Sequence, residues 1–153
     1  MMEETVKIIV FTLNGQRYGA DVKQVMSIEK MKEITKVPGT SEFIKGIMTL
    51  HGETVPVIDL KERLEIDQTE PSDLNRIVVV KVDNIQVGLI VDAATDVLDI
   101  DSSVIEEAKE MGGMVRKEYI KGVAKLESEL LILLELGKVL AMEEAEELKE
   151  VAN

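Results

Sequence analysis

The sequence predicts a mainly β protein built from two small barrels packed together. Three observations carry that expectation: segments rich in Val and Ile recur in pairs around tight-turn residues, the chain repeats itself, and helical periodicity is confined to short stretches. The first pair is KIIVFTL and YGADV around NGQR, the second IKGIMTL and TVPVIDL around HGE, the third RIVVVKV and IQVGLIV around DN. Asn14-Gly15 and Asp83-Asn84 supply residues that tolerate positive φ, so these pairs read as β-hairpins. Pro56 lacks an amide donor, which predicts that its strand is an edge or is bulged, whereas Ile132 at the corresponding place in the second half can pair more fully. Asp59 with Glu62 and Ser103 with Glu106 have capping-box spacing and predict short helices over 60–65 and 104–110. A last helix is expected over about 138–151, with Ala141, Ala145, Leu148 and Ala152 on one face and the EEAEELKE run as a solvated acidic face.

The repeat is visible without gaps. FIKGIMTLHGETVPVIDLKERL (43–64) overlays YIKGVAKLESELLILLELGKVL (119–140), with Ile44, Lys45, Gly46, Leu50, Glu53, Leu60 and Leu64 each matched by the same residue type. IIVFTLNGQRYG (8–19) overlays IVVVKVDNIQVG (77–88), closing glycine in register. Each half therefore runs hairpin, connector, IKG hairpin, short helix, and about five short antiparallel strands can curl until few edges are exposed. The expected division is one unit of two β-barrel subdomains, about 15–80 and 81–140 plus the N-terminal strand. Gly46 and Gly122 are expected at a bulge or a close approach between strands.

Composition narrows the function. In 153 residues with a formal charge of -12, the surface as a whole repels phosphate backbones and anionic lipid headgroups. The absence of cysteine removes disulfides and thiolate metal sites, and the acidic N-terminus does not resemble a signal peptide, so a cytoplasmic protein is the expectation. His51 is the only imidazole; without a GxSxG turn, a phosphate-binding glycine loop, a set of metal ligands or a DxDxDG loop, no catalytic residue, metal or cofactor is expected. What remains is a function of surfaces.

FTLNGQRYGADVKQV, ITKVP, EFIKGIMTLHGETVPVIDL, VGLIVDAATDVL and EYIKGV with the Leu-rich strand after it, in this order and spacing, resemble the CheW-type chemotaxis coupling proteins over about residues 6–142. The resemblance implies two five-stranded SH3-like barrels and a non-enzymatic adaptor. Its implied partners are the cytoplasmic tip of methyl-accepting chemoreceptors and the regulatory domain of the chemotaxis histidine kinase CheA. It would be cytoplasmic and recruited to membrane-associated arrays through those partners. Carried over residue by residue, receptor binding would involve Val25, Ser27, Gly46, His51, Gly88 and Val97, some of them in a groove between the barrels. Kinase binding would involve Thr35, Lys36 and Val37 on one barrel, and Glu110 and Met111 in the EMGGM loop. Two positions depart from the family pattern: His51 stands where Arg is common, and Ser27 where Glu is common. If these exchanges compensate one another as a lost ion pair, the two side chains should be neighbours. The alternatives are an SH3-like scaffold of a pathway other than chemotaxis, or a small-molecule carrier, for which the chain has few aromatic and convergent polar groups.

Overall fold

A computed structural model describes residues 4–107 and 116–140. The first hairpin is β1 (Thr5–Leu13) and β2 (Gln16–Asp21), followed by β3 (Val25–Lys30). Next come β4 (Ile44–Leu50), β5 (Glu53–Asp59) and the one-turn helix α1 (Leu60–Arg63), then the hairpin β6 (Arg76–Val82) and β7 (Ile85–Val91). The chain continues through β8 (Ala93–Asp101), β9 (Ile105–Glu106), β10 (Ile120–Lys125), β11 (Leu130–Leu134) and α2 (Leu136–Val139). All three hairpins expected from sequence are present. Their tips are two-residue turns with positive φ at both positions: 47° and 80° at Asn14-Gly15, 50° and 80° at His51-Gly52, 50° and 64° at Asp83-Asn84. That is the turn whose twist matches the strands it joins.

The strands form two sheets, in the orders β3-β6-β7-β5-β4 and β8-β1-β2-β11-β10-β9. These are the two SH3-like barrels, and they exchange strands. The chain leaves the β1–β2 hairpin of the second sheet to place β3 against β6 of the first, then leaves the β6–β7 hairpin of the first to place β8 against β1 of the second. The expected division at 15–80 and 81–140 is therefore corrected: β2 lies in the sheet of β11, and β7 in the sheet of β5. The repeat units follow sequence order, whereas the sheets are assembled from both halves.

Alternation along each strand sorts the apolar side chains into three clusters. One face of the first sheet encloses Met48, Leu50, Val55, Val57, Ile77 and Val79. The equivalent face of the second encloses Ile8, Val10, Ile100, Ala124, Leu131 and Leu133. The opposite faces meet in a shared core containing Phe11, Leu13, Tyr18, Val78, Val80, Leu89, Ile132 and Leu134. The facing sides of the two sheets are thus packed with side chains of both barrels.

The symmetry of the repeats extends to their bulges and glycines. The β4–β5 ladder shifts register between Ile44 and Gly46, and the β10–β11 ladder between Ile120 and Gly122. A Cβ on Gly19 would meet Ile8 Cγ2 at 2.4 Å, and one on Gly88 would meet the equivalent Ile77 Cγ2 at 2.8 Å. Pro56 lies on an interior strand, between β4 and β7, so of the two alternatives the edge is not met, while the ladder with β4 does carry a register shift, at Ile44–Gly46. Its missing donor is accommodated because the parallel pairing to β7 begins one residue later, at Val57 with Gly88. In the other barrel Ile132 pairs with both Val123 and Tyr18, as the sequence led us to expect.

At the junction of the repeats the symmetry breaks into a specific contact. Arg63 occupies the position that Val139 holds in the second repeat, and its Nε donates to the Val139 carbonyl at 2.7 Å. Its guanidinium lies 5.2 Å from the ring centroids of both Phe43 and Tyr119, themselves an equivalent pair.

The helices differ most from expectation. The Asp59 carboxylate caps α1 through the amides of Lys61 (3.0 Å) and Glu62 (3.3 Å), but the reciprocal half of a capping box is absent because the Asp59 amide donates to the Phe43 carbonyl. The helix ends at Arg63, earlier than expected, since Glu65 adopts a φ of 61° and the amides of Glu65 and Ile66 turn back to the carbonyls of Glu62 and Lys61. No helix begins at 104. Ser102–Val104 form a 3₁₀ turn capped by Asp101, and Ile105–Glu106 pair with β10, so strand pairing overrides the local capping signal. The one-turn helix α2 (Leu136–Val139) is the second-repeat counterpart of α1, and the helix expected over about 138–151 lies, beyond residue 140, outside the described residues.

Candidate functional site

Three of the expected receptor-binding residues lie on a single cross-strand row. Ser27 pairs with Val79, Val79 with Gly88, Gly88 with Val57, and Val57 with Gly46. The row faces the private core of the first barrel, so Gly46 and Gly88 are buried and present no surface to a partner. Their absent side chains make room: a Cβ on Gly88 would stand 3.2 Å from Met48 Cε, and one on Gly46 would stand 2.0 Å from the Thr35 carbonyl oxygen. Gly46 thereby connects the row to the segment expected to bind the kinase. Thr35 exchanges two backbone hydrogen bonds with Ile47, both 2.8 Å, reproducing in the first barrel the way β9 covers β10 in the second. Lys36 beyond it is exposed, and Val37 is half-buried with its carbonyl accepting from Thr40 Oγ1.

Val25 is half-buried on β3 opposite Val80 and packs against the shared core. Val97 is 56% exposed on β8, opposite Ile9 in the other sheet, and so stands apart from the row. Glu110 and Met111 lie outside the described residues.

His51 is exposed at the β4–β5 tip and Ser27 is half-buried in mid-β3. The row from Ser27 reaches β4 at Gly46, and His51 lies five residues farther along, about 16 Å at the rise of a strand. No hydrogen bond or ion pair joins them among the described residues, so the expectation of a compensating pair is not met: the sheet order keeps them apart. The local constraint on His51 is its φ of 50°. A His51→Asn variant, whose short amide tolerates that conformation, should match or exceed the wild type in stability, while His51→Val should lose about 1 to 2 kcal/mol. Urea denaturation of both variants checks this, and equal stability of the two would refute it.

Sequence reasoning missed the outer face of β3. Burial alternates along the strand, leaving Met26 (52%) and Ile28 (42%) exposed, with Met31 (44%) just beyond. Gln86 Nε2 donates to the Met26 sulfur at 3.0 Å, fixing part of this strip. The alternation was readable in VMSIEK, but apolar residues occur in both registers, so the outward face was not. Apolar side chains on an edge strand mark a place where other chains associate.

Two strand-exchanged SH3-like barrels, with apolar side chains exposed on the edge strands β3 and β8, define the class as a paired-barrel protein-interaction module. The chain belongs to the CheW-like family: the model of the CheW-like domain matches residues 7–144. It is 39% identical over 140 residues to the chemotaxis protein CheW of Bacillus subtilis, covering 92% of this chain and 90% of that one. It is 32% identical over 152 residues to CheW of Klebsiella aerogenes, covering 98% and 92%. Among solved structures, the scaffolding protein TtCheW of Thermoanaerobacter tengcongensis superimposes with a TM-score of 0.84 at 35% identity, covering 92% of this chain and 91% of that one.

Proposed function

We propose that this chain is the coupling adaptor of a bacterial chemotaxis pathway, binding chemoreceptor tips through one surface and the CheA regulatory domain through another without catalysing a reaction. The observation that carries the reading is the match to chemotaxis CheW proteins over nearly the whole chain, together with the two-barrel fold shared with a scaffolding CheW. The receptor surface comprises the exposed β3 strip with half-buried Val25 and Ser27 beside it, together with His51 and Val97. Gly46 and Gly88 act by allowing the strands beneath to pack. The kinase surface comprises Thr35, Lys36 and Val37, with Glu110 and Met111 as its second part. Among the described residues no helix is long and apolar enough to cross a membrane, and the adaptor would reach the membrane-associated array from the cytoplasm through its partners. Receptor state reaches the kinase only if the two bound states differ in contact free energy, so both surfaces must be engaged at once.

NMR shift mapping with a receptor hairpin fragment and the kinase regulatory domain, added separately and then together, tests the reading. Two distinct sets of perturbed residues and a ternary complex are expected. Failure to bind either partner, or competition between them for one surface, would overturn it.

A further inference from the structure

The two repeats differ in charge at one equivalent surface, and we infer that this difference makes a docking site for an acidic segment of another protein. In the first repeat Lys45 of β4 reaches Glu62 of α1 at 2.6 Å, closing the surface between strand and helix. The equivalent residues of the second repeat are Lys121 and Lys138, so a lysine stands where the carboxylate was. Lys117 likewise stands where the first repeat has Ser41.

Lys117, Lys121 and Lys138 line one shallow cleft with Glu118, Ile120 and Glu135. None of the three lysines makes an ion pair or side-chain hydrogen bond among the described residues. Glu118 is 3.6 Å from Arg116, which is itself 3.6 Å from Glu65 at the edge of the cleft. The first repeat carries Glu42, Asp59 and Glu62 around Lys45, so the same surface changes from three carboxylates and one ammonium to three ammoniums and two carboxylates, Glu118 and Glu135.

In a chain of formal charge -12, such a cluster is an exception to the overall field. Ammonium groups on flexible stems suit separate carboxylates, and half-buried Ile120 offers an apolar floor for a side chain between them. A nucleic-acid backbone would meet the full negative field of the surrounding surface with only a few cations to offset it. A short acidic peptide with interspersed apolar residues fits better. The inference does not depend on the identity of the receptor or the kinase.

The test is ¹H–¹⁵N NMR titration of the full chain with a blocked Glu-Leu-Glu-Glu-Leu-Glu peptide, against its Lys-for-Glu counterpart, inorganic phosphate and a short DNA duplex. Saturable shifts confined to residues around 116–121 and 135–138, weakening between about 20 mM and about 300 mM salt, are expected for the acidic peptide alone. The Lys121→Glu/Lys138→Glu variant should lower that affinity about tenfold or more while retaining a folded spectrum. Absence of saturable shifts, shifts elsewhere, equal binding by the variant, or comparable binding of phosphate or DNA would each overturn the proposal.

Discussion

A Gly46→Ala variant is expected to lose about 3 to 5 kcal/mol of folding stability, for two separate reasons. The backbone at Gly46 has a φ of 143°, which an alanine adopts only under strain. An added Cβ would also lie 2.0 Å from the Thr35 carbonyl oxygen and 2.6 Å from its carbon. Thr35 cannot easily retreat, because its amide and carbonyl are both bonded to Ile47 at 2.8 Å. Gly122→Ala supplies the internal control. There the nearest atom, 2.7 Å away, is Ile105 Cγ2, the end of a side chain that can shift, and the backbone is not in the positive-φ region. We expect a loss of about 1 to 2 kcal/mol for it, by overpacking alone. Urea denaturation of the two variants side by side decides the matter; equal losses would show that the Thr35 contact is not the controlling one. Because relief of the clash displaces the Thr35–Val37 segment, a folded remnant of Gly46→Ala should also bind the kinase domain weakly if that segment is a kinase contact.

The second large effect is expected where the chain crosses between barrels. Asp92 joins β7 to β8, and its carboxylate accepts from Lys61 Nζ at 2.6 Å, from the Asn14 amide at 2.7 Å and from Thr69 Oγ1 at 3.0 Å. Its backbone carbonyl accepts from Asn75 Nδ2 and its amide donates to the Thr12 carbonyl. One residue therefore ties α1, the β1–β2 turn and the loop before β6 to the crossover. The Lys61 side chain is only 5% exposed, so Asp92→Ala leaves a buried ammonium without its counterion and should cost about 3 kcal/mol or more. Partial burial pushes the Asp92 carboxyl up, but the hydrogen bonds from Lys61, Asn14 and Thr69 and the Lys61 charge outweigh it and hold the group below its ordinary value. A lowered folded value means that its contribution is fully present above the unfolded value of about 4 and is lost as pH falls through the folded one. Asp92→Asn should therefore lack part of the wild-type loss of stability below about pH 4, measured by acid titration of the folded signal. An unchanged acid profile would refute this linkage.

The hairpins were legible in the sequence because their signals are local. Two consecutive positive-φ residues between alternating apolar segments specify a turn and a register with no help from the rest of the chain. The bulge glycines were legible through the repeat, which showed the same residue at the same place in two related environments. Ser103 and Glu106 misled because capping-box spacing is also local, while the pairing of Ile105 with Ala124 that overrode it links residues distant in sequence. Lys61 gave no sign of burial either: on a one-turn helix it reads as a surface lysine, and only Asp92 and Thr69 explain its place.

For the candidate site the same distinction holds. The family pattern identified Val25, Ser27, Gly46, His51, Gly88, Val97 and Thr35–Val37 as important, but not which of them a partner can touch. Gly46 and Gly88 face the first barrel's interior, whereas His51 and Val97 face outward. The exposed strip of Met26, Ile28 and Met31 was not singled out at all. By itself the sequence determined the mainly β class, the hairpins, the duplication and the family. Tertiary structure alone decided which sheet each strand joins, how the barrels exchange strands and pack their facing sides together, and which side chains remain at the surface. The reason is physical: turn geometry and alternation depend on a few adjacent residues, whereas burial and strand partnership depend on segments that meet only after the chain has closed on itself.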